Sequence, residues 1–179
     1  MISEIDVLGT VTERLGSAMI PYMLTGSYAL AHYARPRMTR DLDFVIELSA
    51  NDVGKVVAAF SADFYVDADA VLSAVRTERM FNLMHFASGI KVDLIVRKNS
   101  KFRQLEFSRR KQVRFANINV WIVSREDLIL SKLVWAKESA SEQQRRDASL
   151  LLDDSADRIY LRQWAVRLDV GDLLDELSA

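Results

Sequence analysis

The stretch LTGSYALAHYARPRMTRDLDFV, Leu24 to Val45, decides how the chain is read. A short apolar run ends in Gly26-Ser27. A helical segment and a basic turn from Arg35 to Arg40 follow, and the chain then enters a strand that opens Asp41-Leu42-Asp43. Side chains alternate along a strand with period two, so these two carboxylates share a face and repel each other. A divalent cation is the usual remedy. A Gly-Ser turn opening a helix is an anion site, because free N–H groups and the positive end of the helix dipole point outward. Side by side, the two suit a metal–polyphosphate ligand.

Working outward, Arg37 and Thr39 sit two residues apart just before Asp41, and an extended chain from Arg37 to Asp43 puts them on the carboxylate face. An arginine there neutralises phosphate by bidentate pairing or balances the aspartates by ion pairing. Downstream, Lys91-Val92-Asp93-Leu94-Ile95-Val96 carries an aspartate inside an otherwise apolar strand, against propensity. Asp41, Asp43 and Asp93 together make the all-oxygen donor set that Mg²⁺ or Mn²⁺ prefers. Alone, a strand Asp-x-Asp is more often surface alternation. Gly26-Ser27 before it and Asp93 after it turn the reading to a metal site. Asp67-Ala68-Asp69 has the same spacing, but helical periodicity follows it and helix capping explains it.

The composition is that of an ordinary soluble globular domain: 179 residues, half hydrophobic, net charge −1. The lack of cysteine excludes a disulfide framework and thiolate metal ligation. The first fifteen residues are charged and helix-patterned, without the apolar run of a signal peptide or membrane span, so no membrane association and a cytoplasmic location are expected. Residues 97–114 hold eight basic side chains and only one acid, Glu106. Such a stripe is either a surface for RNA or another polyanion or a solvated face.

The periodicity predicts a first helix over 2–19 with Ile5, Leu8, Leu15 and Met19 on one face, ended by Pro21. A strand at Tyr22–Thr25, a helix at Tyr28–Tyr33 and a strand at Leu42–Leu48 follow. A helix capped at Asn51 or Asp52 runs to Phe60, and a second, capped by Asp67, runs to Arg76. Strands Met80–Ala87 and Ile90–Arg97 form a hairpin about Ser88-Gly89, and Gln112–Phe115 pairs with Val120–Val123. Ser124 opens a helix to about Glu138, and everything from Ser141 on is helical. The organisation is an α/β (α+β) core over 1–123 and a helical subdomain over 124–179.

Two residues in that tail break their pattern. Lys132 falls on the helix face of Leu128, Ile129 and Ala136, and Asp147 projects between Leu150 and Leu151. Lysines are seldom buried unless paired. Either the two pair across a helix interface, or Lys132 points at a polyphosphate with Asp147 orienting it or accepting a proton. His32 and His85 lack ligand spacing and read as structural, and Trp121, Trp135 and Trp164 read as core or interface anchors.

Gly26-Ser27, Arg37-x-Thr39-x-Asp41-Leu42-Asp43 and the later Asp93 strand resemble the nucleotidyltransferase superfamily with the DNA polymerase β-like fold. The linked form is similar to its AbiEii/AbiGii branch, which includes toxins of toxin–antitoxin and phage-defence systems. Ser124 to Lys132 looks like that branch's helix with a functional lysine. Arg145-Arg146-Asp147 looks like its R-x-K-D-x-x-D element, with Arg146 and Leu150 departing from it.

The resemblance implies a mixed sheet flanked by helices and metal-dependent transfer of NMP from an NTP to an acceptor hydroxyl. Gly26, Ser27, Arg37, Thr39 and Lys132 would bind nucleotide, and Asp41, Asp43 and Asp93 would hold Mg²⁺ or Mn²⁺. Asp93, Lys132 and Asp147 would assist. RNA or tRNA is the acceptor that the toxin branch implies, with an antitoxin protein as partner. A small hydroxylated molecule, as in antibiotic nucleotidyltransferases, and a partner-binding role without transfer are the alternatives.

Overall fold

The computed structural model describes residues 2–35 and 41–178. The chain begins with α1 (Glu4–Ser17), capped by reciprocal bonds between Ser3 and Asp6, and buries Val7, Leu8, Val11 and Leu15. Met19, expected on this face, lies beyond the helix end and is 82% exposed. Next come β1 (Tyr22–Leu24), α2 (Gly26–Tyr33) and β2 (Leu42–Ile46). β2 stops two residues before the expected Leu48. Asp52 stands at the N-cap of α3 (Val53–Phe60) but makes no side-chain cap bond there; Ser49 makes a capping box with it over the preceding 3-10 turn.

A two-residue strand, β3 (Phe64–Tyr65), precedes α4 (Ala68–Thr77). It is too short to show a period, and the sequence did not reveal it. Asp67 caps α4 by accepting from the N–H groups of Asp69 and Ala70, as capping logic required. The hairpin β4 (Met80–His85) and β5 (Lys91–Val96) turns through Gly89 at φ +66°, where the missing Cβ removes the left-handed penalty. α5 (Lys101–Ser108), β6 (Lys111–Phe115) and β7 (Ile118–Ile122) complete the sheet-bearing part. Then come α6 (Arg125–Ser139), α7 (Glu142–Leu151), α8 (Arg158–Arg167) and α9 (Gly171–Ser178).

The seven strands form one mixed sheet in the order β3-β4-β5-β2-β1-β7-β6. β2 and β5 are parallel neighbours at its centre, flanked by antiparallel β4 and β1. A parallel pair needs a crossover, and here the 3-10 turn, α3, β3, α4 and β4 all lie between β2 and β5. Alternation assigns the two faces. Leu42, Phe44, Ile46, Phe81, Leu83, Val92 and Leu94 are buried in the core, where α4 packs on β4 and β5. The opposite face carries Asp43, Val45, Asn82 and Met80. α2 lies against β2 and meets α6, bringing the C-terminal helices to that face. The molecule is an α/β fold, as the sequence pattern implied, with the mixed sheet and flanking helices that the resemblance implied. No helix of the described residues is long and apolar enough to cross a membrane.

Candidate active site

Asp43 and Asp93 are direct partners in the parallel register of β2 and β5, and Asn82 is the partner of Asp93 across the hairpin. One row of the sheet therefore reads Asn82, Asp93, Asp43. Asp93 is only 6% exposed, so it is not a surface alternation. The Asn82 amide donates to its Oδ1, and the Lys91 ammonium lies 3.0 Å from its Oδ2. Lys91 also stands 3.7 Å from Asp41 Oδ2. Its hydrogen bond to Asp93 raises the ammonium's proton affinity above the ordinary lysine value.

Among the described residues, Asp43 has no neutralising partner as close. Burial first, then Asp93 and Asp41, push its carboxyl up from 3.8 to about 6, with Lys132 and Lys91 pulling the other way. Like charges in a low-dielectric site disfavour the ionised form. The row thus carries negative charge that is only partly compensated.

Gly26 explains how the turn before α2 comes so near. Its φ is +63°, and a Cβ there would stand 2.0 Å from Asp43 Oδ2. The Thr25 N–H donates to the Asp43 carbonyl at 2.9 Å and locks the two segments together. The first N–H groups of a helix lack intrahelical acceptors, so the α2 N-terminus presents donors beside the carboxylates. Thr25 and Gly26 line the adjoining cavity; Ser27, expected to bind phosphate, is buried and is not among its lining residues. Arg37 and Thr39 lie outside the described residues.

The cavity, of about 290 Å³, runs between the open sheet face and α6. Asp43, Asp93, Lys132 and Gln144 line its polar part, and Val45, Ile95, Met80, Leu128 and Val134 its apolar part. Trp135, expected in a core or interface, is 55% exposed on the cavity wall. Lys132 is buried on α6, with Nζ 2.7 Å from Asp147 Oδ2 and 3.1 Å from Gln144 Oε1. Lys132 thus pairs across the α6–α7 interface, the first of its two readings, and also lines the cavity. Asp147 is fully buried, is not among the lining residues and holds Lys132. Gln143 donates to its other oxygen at 2.8 Å.

Among the described residues, no three His, Asp or Glu side chains already converge on a cation position. The donor chemistry nevertheless fits a hard divalent ion: oxygen-only ligands, two of them in register, and an Asp43 whose raised proton affinity records surplus negative charge.

Half of the basic segment is committed internally. Arg97 pairs with Glu47 at 2.8 Å, Arg103 with buried Glu106 at 2.8 Å and Arg109 with buried Asp127 at 2.9 Å. Arg110 stacks over Phe107, 4.2 Å from the ring centre. Lys98, Lys101, Lys111 and Arg114 remain exposed.

Sequence reasoning missed Lys91, Asn82 and Gln144. For the first two the only signal lay in the hairpin register: four residues in the turn, not the two expected at Ser88-Gly89, set Asn82 opposite Asp93. Gln144 offered none.

No protein-family model and no curated protein matches the sequence. Solved structures do. The antibiotic-resistance factor ANT(2'')-Ia in solution superposes with a TM-score of 0.61 at 12% identity, over 97% of both chains. An antigenic nucleotidyltransferase-like protein from Paracoccidioides brasiliensis gives 0.56 at 17% identity, over 98% of this chain and 93% of that one. The lincosamide antibiotic adenylyltransferase LnuA, bound to lincomycin, gives 0.54 at 13% identity, over 80% and 93%. At these identities the likeness is one of architecture: the chain has the nucleotidyltransferase fold.

Proposed function

We propose that this protein transfers a nucleoside monophosphate from an NTP to an acceptor hydroxyl and releases pyrophosphate. The observation that carries the reading is the in-register Asp43–Asp93 pair, with Gly26 of the α2 N-terminus packed onto Asp43 in a nucleotidyltransferase fold. The backbone N–H groups that open α2 donate to the phosphates, and Lys132, held by Asp147 and Gln144, adds positive charge from the opposite wall. Arg37 and Thr39, close before Asp41 in the sequence, are the further candidates for nucleotide binding. Asp41, Asp43 and Asp93 would hold Mg²⁺ or Mn²⁺, which when bound neutralises phosphate charge and acidifies the acceptor hydroxyl. Asp93 Oδ2 takes the hydroxyl proton as the acceptor oxygen attacks the α-phosphorus.

The acceptor we favour is a small hydroxylated molecule. Three of the eight basic side chains that would grip RNA, Arg97, Arg103 and Arg109, are held in ion pairs within the fold. Among proteins of similar architecture, one structure of ANT(2'')-Ia is in complex with adenylyl-2''-tobramycin. The four cations left exposed, Lys98, Lys101, Lys111 and Arg114, keep RNA as the second reading, with a toxin role and an antitoxin partner attached to it.

Incubation with each labelled NTP and Mg²⁺, against a panel of hydroxylated small molecules and total RNA in parallel, tests both. We expect pyrophosphate and one labelled acceptor, with the rate reduced at least about a hundredfold in Asp43→Asn. Nucleotide binding without pyrophosphate from any acceptor would leave a binding protein instead. Transfer at the wild-type rate by Asp43→Asn would sink the site.

A further inference from the structure

Lys91 stands where the charge of the carboxylate row is being balanced. It precedes Asp93 by two positions on β5, so the two side chains share a face. Its ammonium reaches 3.0 Å from Asp93 Oδ2 and 3.7 Å from Asp41 Oδ2, bridging two of the three carboxylates. Asp93 is almost closed off, with 9% of its side chain exposed, whereas Lys91 keeps 34% and Asp41 53%. The flexible four-carbon stem of a lysine lets such a half-exposed ammonium swing away without disturbing the strand. A planar, forked arginine would not release its partners as readily.

An ammonium and a divalent ion cannot both sit among these oxygens without repelling each other. Resting on the nucleotidyl-transfer reading, we propose that Lys91 is an internal counter-ion that competes with the divalent cation for Asp41 and Asp93. It weakens metal binding to the free protein and yields when a metal–nucleotide complex arrives. The nucleotide matters because its phosphates offer the displaced ammonium a new anionic partner, while its own charge strengthens the metal. Metal and nucleotide then load together. Lys91 is a positioning residue in this scheme, setting when the carboxylates become available.

The test is Mn²⁺ binding to the full chain, read from the free-ion paramagnetic resonance signal with no nucleotide present. Wild type is compared with Lys91→Met, Lys91→Gln and Asp43→Asn. Both Lys91 variants are expected to bind Mn²⁺ about tenfold more tightly or better than wild type. The advantage should shrink when a non-hydrolysable NTP analogue is added. Wild-type affinity or weaker in both variants overturns the proposal.

A second measurement needs no variant. Amine-reactive labelling of the wild-type protein, mapped by mass spectrometry, should rise at Lys91 once Mn²⁺ is added to saturation of the site, and an unchanged yield there counts against displacement. The two layers separate cleanly. If wild type binds Mn²⁺ in an Asp43-dependent way and the Lys91 variants bind no tighter, only the counter-ion role falls. If neither wild type nor the Lys91 variants bind Mn²⁺, the metal site falls and takes the counter-ion with it.

Discussion

Asp43 shows how one residue can serve a site at the expense of the fold. Burial and its two carboxylate neighbours raise its carboxyl to about 6 from 3.8. A raised folded-state value means that folding favours the neutral form. Its contribution to stability is therefore complete below the ordinary carboxylate range and is lost as pH rises through about 6. The loss approaches about 2–3 kcal/mol, since each tenfold change in proton affinity corresponds to roughly 1.4 kcal/mol. Asp43→Asn keeps the neutral form at every pH. In chelator, its melting temperature is expected to match wild type near pH 4 and to exceed it above pH 6; a gap that ignores pH would remove the repulsion argument. The sequence made Asp43 and Asp93 legible, because an aspartate inside an apolar strand announces itself. Lys91 and Asn82 were silent, because a lysine or asparagine near a strand end is ordinary, and only the register shows that both touch Asp93.

The α6–α7 pair carries the next lesson. α6 was readable from its Ser124 cap, which accepts from the Asp127 N–H, and from a lysine on the wrong face of the wheel. That Lys132 should find Asp147 was one of two readings, since sequence gives helix faces but not which faces meet. The ion pair is 4% and 0% exposed, so removing one member strands a buried charge. Lys132→Met is expected to destabilise by about 3–5 kcal/mol. Adding Asp147→Leu should recover most of that, because a well-packed apolar pair is often as stable as a buried ionic one. Nucleotide affinity is the discriminating readout. If Lys132 also serves the phosphates, the double variant regains stability in urea titrations but not NTP binding; recovery of both would leave it a structural pair alone.

At the scale of the whole molecule, the class of fold was legible and the order of the strands was not. Residues 22–24 and 118–122 become neighbours in the sheet although nearly a hundred residues separate them, and no local pattern states that. The same applies at the centre. β4 and β5 meet through a short turn, while β5 joins β2 across fifty positions of sequence, from Asp43 to Asp93. Local pairings form more readily than distant ones, whose loop-closure entropy must be met first. The central row therefore has a chronology. On this ordering Asp93 gains Asn82 and Lys91 within the hairpin, which offset part of its charge, before Asp43 approaches. Docking of the hairpin on β2 is then the moment at which the two carboxylates first meet. In stopped-flow refolding with chelator, wild type is expected to slow as pH rises through about 6, while Asp43→Asn refolds at one rate throughout. A wild-type rate that is flat across that window would place the meeting of the carboxylates after the barrier. On this account the hairpin that delivers the third aspartate also chaperones it.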